Sequence, residues 1–185
     1  STTNANPLVA PTFSKQSMLG TNPIAIAIPA NTEPPFVADF ATAPIARGKL
    51  DLLHLKKKPT PEGLVQTKDG QPTTYANILA EGGAIRTLGN DIEHGGHKGY
   101  CLSAMVDILS AVLPGANFGP FVIPSLTYRD TQQNTTVGKG IGHFFGAMRV
   151  DAFRPANDFK ESMDIWIQTF RNTPSINEQE KVLIP

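Results

Sequence analysis

Residues 93–101 read EHGGHKGYC and stand directly before the apolar run LSAMVDILSAVL. Two histidines, a lysine and two adjacent glycines in so short a stretch permit three chemistries: metal ligation, anion binding, or a helix start with no chemistry. The metal option rests on His94 and His97, with Glu93 and Asp91 nearby. Histidines three apart share a helix face, but Gly95 and Gly96 oppose a helix there, and no further Cys or His cluster completes a tetrahedral set. The anion option has more physical support. Glycines followed by a helix expose unpaired backbone N–H groups at the positive end of the helix dipole, and Lys98 adds a full charge at the same place. The stretch is not a P-loop, because no glycine, lysine and hydroxyl residue fall at the required spacing.

Other candidates are weaker. GKGIGHFFG offers Gly138, Gly140, Gly142 and Gly146, but the spacing differs from a Rossmann fingerprint and the residues after it read as a strand. Asp39 closes an apolar run before ATA, where an acid could meet a ribose hydroxyl or a catalytic partner, or could serve as a helix N-terminal acid. Lys49 reads as a solvated helix lysine as readily as a catalytic one. Spacing alone assembles no Ser, His and acid set.

These residues need elements to hold them. Ile24 to Ile28, bounded by Pro23 and Pro29, is too brief for a helix and predicts a buried strand; Phe36 to Phe40 predicts a second. From Ala43 the pattern predicts a helix capped by Thr42, with Pro44 in its first turn and lysines near its C-terminal end. Residues 58–72 lack periodicity and read as an exposed loop. Tyr100 to Leu113 carries apolar residues on nearly every side, which predicts a buried helix stopped by Pro114 and Gly115. A strand is expected around Phe144 to Val150, and then an amphipathic helix with Phe159, Met163, Trp166, Ile167 and Phe170 on one stripe. KVLIP reads as a strand that stops early.

The bulk numbers set outer limits. A chain of 185 residues suits one domain and can bury roughly 70% of its unfolded surface. Sixteen basic residues balance sixteen acidic ones, so no net field draws nucleic acid or an anionic membrane. Hydrophobic residues at 40% against 17% charged describe a packed protein, and the low charge suggests surfaces covered by more protein. The single cysteine, Cys101, forms no internal disulfide and suits a reducing compartment, so the expected location is the cytoplasm. No apolar stretch is long enough to span a bilayer and no targeting segment is visible.

Four blocks, GTNPIAIAIP, FVADFATAPIARGK, EHGGHKGYCLSAMVDILSAVLPGA and IGHFFGAMRVDAF, occur in this order and together resemble the malate and L-lactate dehydrogenase family of the non-Rossmann type, which also includes sulfolactate, ureidoglycolate and diketogulonate dehydrogenases. The resemblance implies an α/β fold with a mixed sheet flanked by helices, a dimer, and an NAD- or NADP-dependent oxidoreductase that interconverts a small 2-hydroxy acid and its 2-oxo acid. It also implies that Asp39, Ala41, Thr42, His97 and Lys98 contact the dinucleotide. Asn4 matches a segment that approaches the substrate. Lys49 matches a position near the reacting centre that is an acid in some imine-reducing relatives, where a lysine would stabilise negative charge on a carboxylate or alkoxide.

Two departures qualify the resemblance. Relatives usually read GGHKGYG, whereas this chain has Cys101 in place of the last glycine. Family members also carry an N-terminal helical region with a Ser-His-Gly segment, substrate-binding arginines and a histidine proposed as proton donor, together with a later PGE segment. On that comparison residues 1–185 are expected to be a single cofactor-binding domain of a longer enzyme, with exposed apolar surface where other parts pack. The alternatives are a non-catalytic cofactor-binding or dimerisation module, and a metal-dependent hydrolase centred on His94 and His97.

Overall fold

The computed structural model describes residues 1–123, 137–176 and 181–185. Among the described residues the strands and α-helices are β1 (Thr2–Thr3), β2 (Ile24–Ile28), β3 (Phe36–Phe40), α1 (Arg47–Leu55), β4 (Val65–Gln66), β5 (Pro72–Thr73), β6 (Ala84–Ile85), α2 (Gly96–Asp107), β7 (His143–Phe144) and α3 (Ala156–Arg171). The fold is of the α/β class. One sheet runs β3-β2-β1-β7 and a smaller one β5-β4-β6. Thr2 pairs antiparallel with Ile24 on one side and Phe144 on the other.

The chain forms two compact units where the sequence reading treats it as one: residues 1–24 with 40–144, and residues 25–39 with 145–185. In the first, Val9, Leu19, Ala43, Ile45, Leu50, Val65, Ile78 and Ile85 make one buried cluster. Each such aliphatic side chain contributes about 1.5–3 kcal/mol when fully buried. This core fixes the turn after β3, because Ala43 and Ile45 are both inside it.

In the second unit α3 presents one buried stripe, with Ile167 at its centre. Trp166 meets Phe36 edge-on at 5.9 Å between ring centroids. The Asp164 carboxylate accepts four hydrogen bonds, from the N–H groups of Asn31, Thr32 and Glu33 and from the Thr32 hydroxyl at 2.6 Å. Arg171 Nη1 then meets Glu33 Oε2 at 2.8 Å.

Several elements differ from the sequence expectation. The helix expected from Ala43 begins at Arg47 and has no side-chain cap. The Thr42 hydroxyl instead donates to the carbonyls of Thr21 and Asn22, so Thr42 ties a turn rather than capping a helix. Residues 58–72 are not a plain exposed loop: Val65 and Gln66 are buried in β4, a pair too short to show a period. The strand expected at 144–150 is confined to His143–Phe144, and Val150–Ala152 forms a 3₁₀ turn. Residues 181–185 form no ladder, although the Val37 N–H reaches the Pro185 carbonyl.

Helix α2 departs in another way. It continues into a π-helical turn, Ile108–Val112. Its buried positions are Gly96, Gly99, Ser103, Val106 and Asp107, followed by Ser110 and Ala111. Met105, Ile108 and Leu113 are 56%, 54% and 67% exposed. The helix buries mainly its small and polar face; of the large apolar residues that suggested burial, Val106 alone is buried.

Candidate functional site

The residues flagged at 93–101 form the entrance to α2. Gly95 is the N-cap at φ 87°, a left-handed conformation that favours glycine. Gly99 lies so close to the backbone of Leu88 that a Cβ there would clash with the Leu88 carbonyl oxygen. The two glycines thus do separate work: one turns the chain, the other lets the 88–95 loop lie against the helix.

That packing uses most of the amides the sequence reading left free for an anion. Gly96 N–H donates to Asp91 O, and the N–H groups of Lys98 and Gly99 donate to Gly95 O. Among the described residues the His97 amide is the first-turn N–H without such a partner, so an anion there would meet it and the Lys98 side chain. Both residues are exposed on a cleft of about 470 Å³ that Leu88, Ile92 and Leu102 also line. One unbonded amide, an ammonium and an imidazole around an apolar floor, with the Glu93 carboxylate on the same rim, could meet a phosphoryl group joined to a larger body on the side of Lys98.

His94 has a different role. Its N–H and its ring Nδ1 both meet Asp91 Oδ1, at 2.8 and 2.6 Å. These bonds, the backbone one first, hold the Asp91 carboxyl below the usual carboxylate range. Among the described residues no three His, Cys, Asp or Glu side chains converge to hold a metal ion.

The Thr42 turn and α2 are joined by Asn22, which is fully buried and has a left-handed backbone at φ 38°. Its carbonyl accepts from Thr42, its Nδ2 donates to Ser103 O at 3.0 Å, and its Oδ1 accepts from the Ala5 N–H. Asn4 does similar work nearby. Its Nδ2 donates to Asn117 O and its Oδ1 accepts from Gly142 N–H, so both ends of the amide bond to backbone. Asp107, buried at the end of α2, accepts from Gly119 N–H, and burial raises its carboxyl above the usual range.

The structure therefore brings Thr42 into a hydrogen-bonded frame with α2, whose first turn carries His97 and Lys98. Ala41 is half-buried beside Thr42. Lys49 is exposed on α1, and Asp39 is exposed at the end of β3 in the other unit. Asn22 was not singled out from sequence; the signal available was an Asn followed by Pro after a glycine, which reads only as a turn.

The sequence model of the malate/L-lactate dehydrogenase family matches residues 1–185. The chain is 38% identical over 185 residues to malate dehydrogenase of Pyrococcus horikoshii, covering all of this chain and 49% of that protein. It is 45% identical over 107 residues to a Delta(1)-pyrroline-2-carboxylate reductase of Pseudomonas fluorescens, covering 58% of this chain and 30% of that one. The crystal structure of malate dehydrogenase from Entamoeba histolytica superposes with a TM-score of 0.82 at 31% identity, over 99% of this chain and 50% of that one. The chain spans about half the length of the curated relatives it matches. It belongs to the malate/L-lactate dehydrogenase family.

Proposed function

We propose that the protein is an NAD- or NADP-dependent oxidoreductase that moves a hydride between the nicotinamide and C2 of a small 2-hydroxy or 2-oxo acid such as malate or lactate. In this reading residues 1–185 are the cofactor-binding part of a longer, cytoplasmic, dimeric enzyme. The observation that carries it is the cleft at the start of α2, with Lys98 and the His97 amide at its mouth. Family membership over the whole chain supports it.

When bound, the nicotinamide supplies the hydride acceptor or donor; the protein supplies binding and orientation. Lys98 and the His97 amide bind the dinucleotide phosphates. Thr42 and Ala41, held in a core-anchored turn, shape the wall beside them through Asn22. Asn4 braces the segments around Asn117 and Gly142 and presents the backbone that approaches substrate. Lys49 steadies negative charge on the acid. The proton comes from a histidine outside residues 1–185.

The test is fluorescence titration with NADH and NADPH on the wild type and on Lys98→Ala. Submicromolar to micromolar binding that weakens about tenfold or more in the variant is expected, the size of a lost charge-assisted phosphate contact. Absence of binding by either cofactor at millimolar concentration defeats the reading. A second reading, reduction of a cyclic imine carboxylate, draws on the similarity to the pyrroline-2-carboxylate reductase. Screening malate, lactate, sulfolactate and the cyclic imine with whichever cofactor binds separates the two.

A further inference from the structure

The buried face of α2 ends in a carboxyl group that the fold leaves half-satisfied. Asp107 is 6% exposed and is the last residue of the helix before the π turn at Ile108–Val112. Its Oδ2 accepts from Gly119 N–H at 3.0 Å. Its Oδ1 has no hydrogen-bond partner among the described residues, and neither has Ser103 Oγ, one turn earlier on the same face. Neither oxygen has surface that water can touch. Buried polar atoms are nearly always paired, and π turns within α-helices gather at functional sites.

This setting suits an acid better than a carboxylate. An unpaired oxygen on a neutral group costs far less than one on a buried charge. Burial accordingly pushes the Asp107 carboxyl up, against the Gly119 N–H and the Asn4 amide beside it, which favour the charged form. Among the described residues no charged side chain offsets the burial: β1 and the π turn bring uncharged groups to this end of α2, Gly119–Phe121 does the same, and His143 of β7 is exposed. The segment that Asp107 holds has few other ties. Gly119 has left-handed backbone at φ 49°, and the bonds from Phe121 N–H to Phe118 O and from Val122 N–H to Gly119 O are internal to the turn. Asn117, two residues earlier, is the residue whose carbonyl Asn4 braces, so Asp107 and Asn4 act on one segment.

We propose that Asp107 is a pH-operated latch: as a neutral acid it closes the Gly119–Phe121 turn onto the end of α2, and its ionisation opens that turn. Opening admits water to Oδ1 and so removes the desolvation that opposes the charge. A carboxyl whose folded value is raised stabilises the closed form fully below about pH 4, and that contribution is lost as the pH rises through the folded value. The latch belongs to the fold and holds whether or not residues 1–185 bind a dinucleotide.

Hydrogen exchange followed by NMR from about pH 4 to about pH 8 tests this at the Gly119 amide, with the Ile85 amide, bonded to Leu8 O in the core, as the reference. Relative to the intrinsic exchange rate, Gly119 in the wild type should lose about tenfold or more of its protection as Asp107 ionises, while Ile85 keeps its own. In Asp107→Asn, whose amide oxygen still accepts from Gly119 and which never ionises, the Gly119 protection should stay level. Wild-type protection that does not move with pH, or a variant that loses it as steeply, overturns the latch. Should the variant not fold, the chemical shift of the Asp107 carboxyl carbon in the wild type decides. An inflection above the ordinary 3.8 that coincides with the loss of Gly119 protection supports the latch. One at or below 3.8, or one that leaves the protection unmoved, overturns it.

Discussion

Helices α2 and α3 are both rich in apolar residues, yet they are held in opposite ways. Helix α3 packs by its large side chains: Ile167 is buried, Trp166 meets Phe36, and one carboxylate, Asp164, fastens the loop at 31–33 to the helix. Helix α2 packs by what it lacks. Gly96 and Gly99 bring its backbone against the 88–95 loop, and Ser103 lets Asn22 reach a helix carbonyl, while Met105 and Ile108 face outward. This arrangement holds the first turn of α2 in place, since backbone packed on backbone has little rotamer freedom.

The contrast can be broken most severely at Gly99. Gly99→Val places side-chain atoms on the Leu88 carbonyl and should cost about 3 kcal/mol or more, enough to abolish a cooperative thermal melt. Cys101→Val, two residues on at an exposed position of the same helix, should shift stability by less than about 0.5 kcal/mol. If the two variants melt alike, α2 is not held by close backbone approach.

The next effect belongs to α3. The Thr32 hydroxyl first, then the three N–H groups, hold the Asp164 carboxyl down to about 2 from an ordinary value of 3.8. A depressed folded value means that the carboxylate stabilises the fold fully above about pH 4 and loses that contribution as the pH falls through about 2. Trp166 is the single tryptophan, so its emission follows this region directly. Asp164→Ala should lower the melting temperature by several degrees at neutral pH and remove the acid-side drop in Trp166 emission between pH 4 and 2. An unchanged acid profile would assign the drop to other carboxylates.

The smallest effect sharpens the comparison. Met105→Ser on residues 1–185 should leave the melting midpoint nearly unchanged, because that side chain is half in solvent, whereas Ile167→Ser should lower it strongly. Equal losses would mean that the outer face of α2 is covered.

The same contrast explains what could be read from the sequence. Strands β2 and β3 and helix α3 were legible because proline boundaries and a one-sided apolar stripe are local signals. The family was legible from four ordered blocks. The packing of α2 was not, since apolar residues around a helix say nothing of which face glycine will bring close. Thr42 looked like a cap because caps are local, but its partners at Thr21 and Asn22 lie twenty residues away. Residues 65 and 66 were hidden in a loop because a two-residue strand has no period. The site divides likewise. Lys98 was singled out from charge and position, while Asn22 owes its hydrogen bonds to long-range neighbours.

Asn22 has one further consequence, for the lifetime of the protein. An asparagine commonly ages when the next backbone nitrogen attacks its amide carbon and closes a succinimide ring. The next residue here is Pro23, whose nitrogen carries no hydrogen to lose. The side-chain amide that joins Ala5 to Ser103 is therefore protected from that damage by its own neighbour.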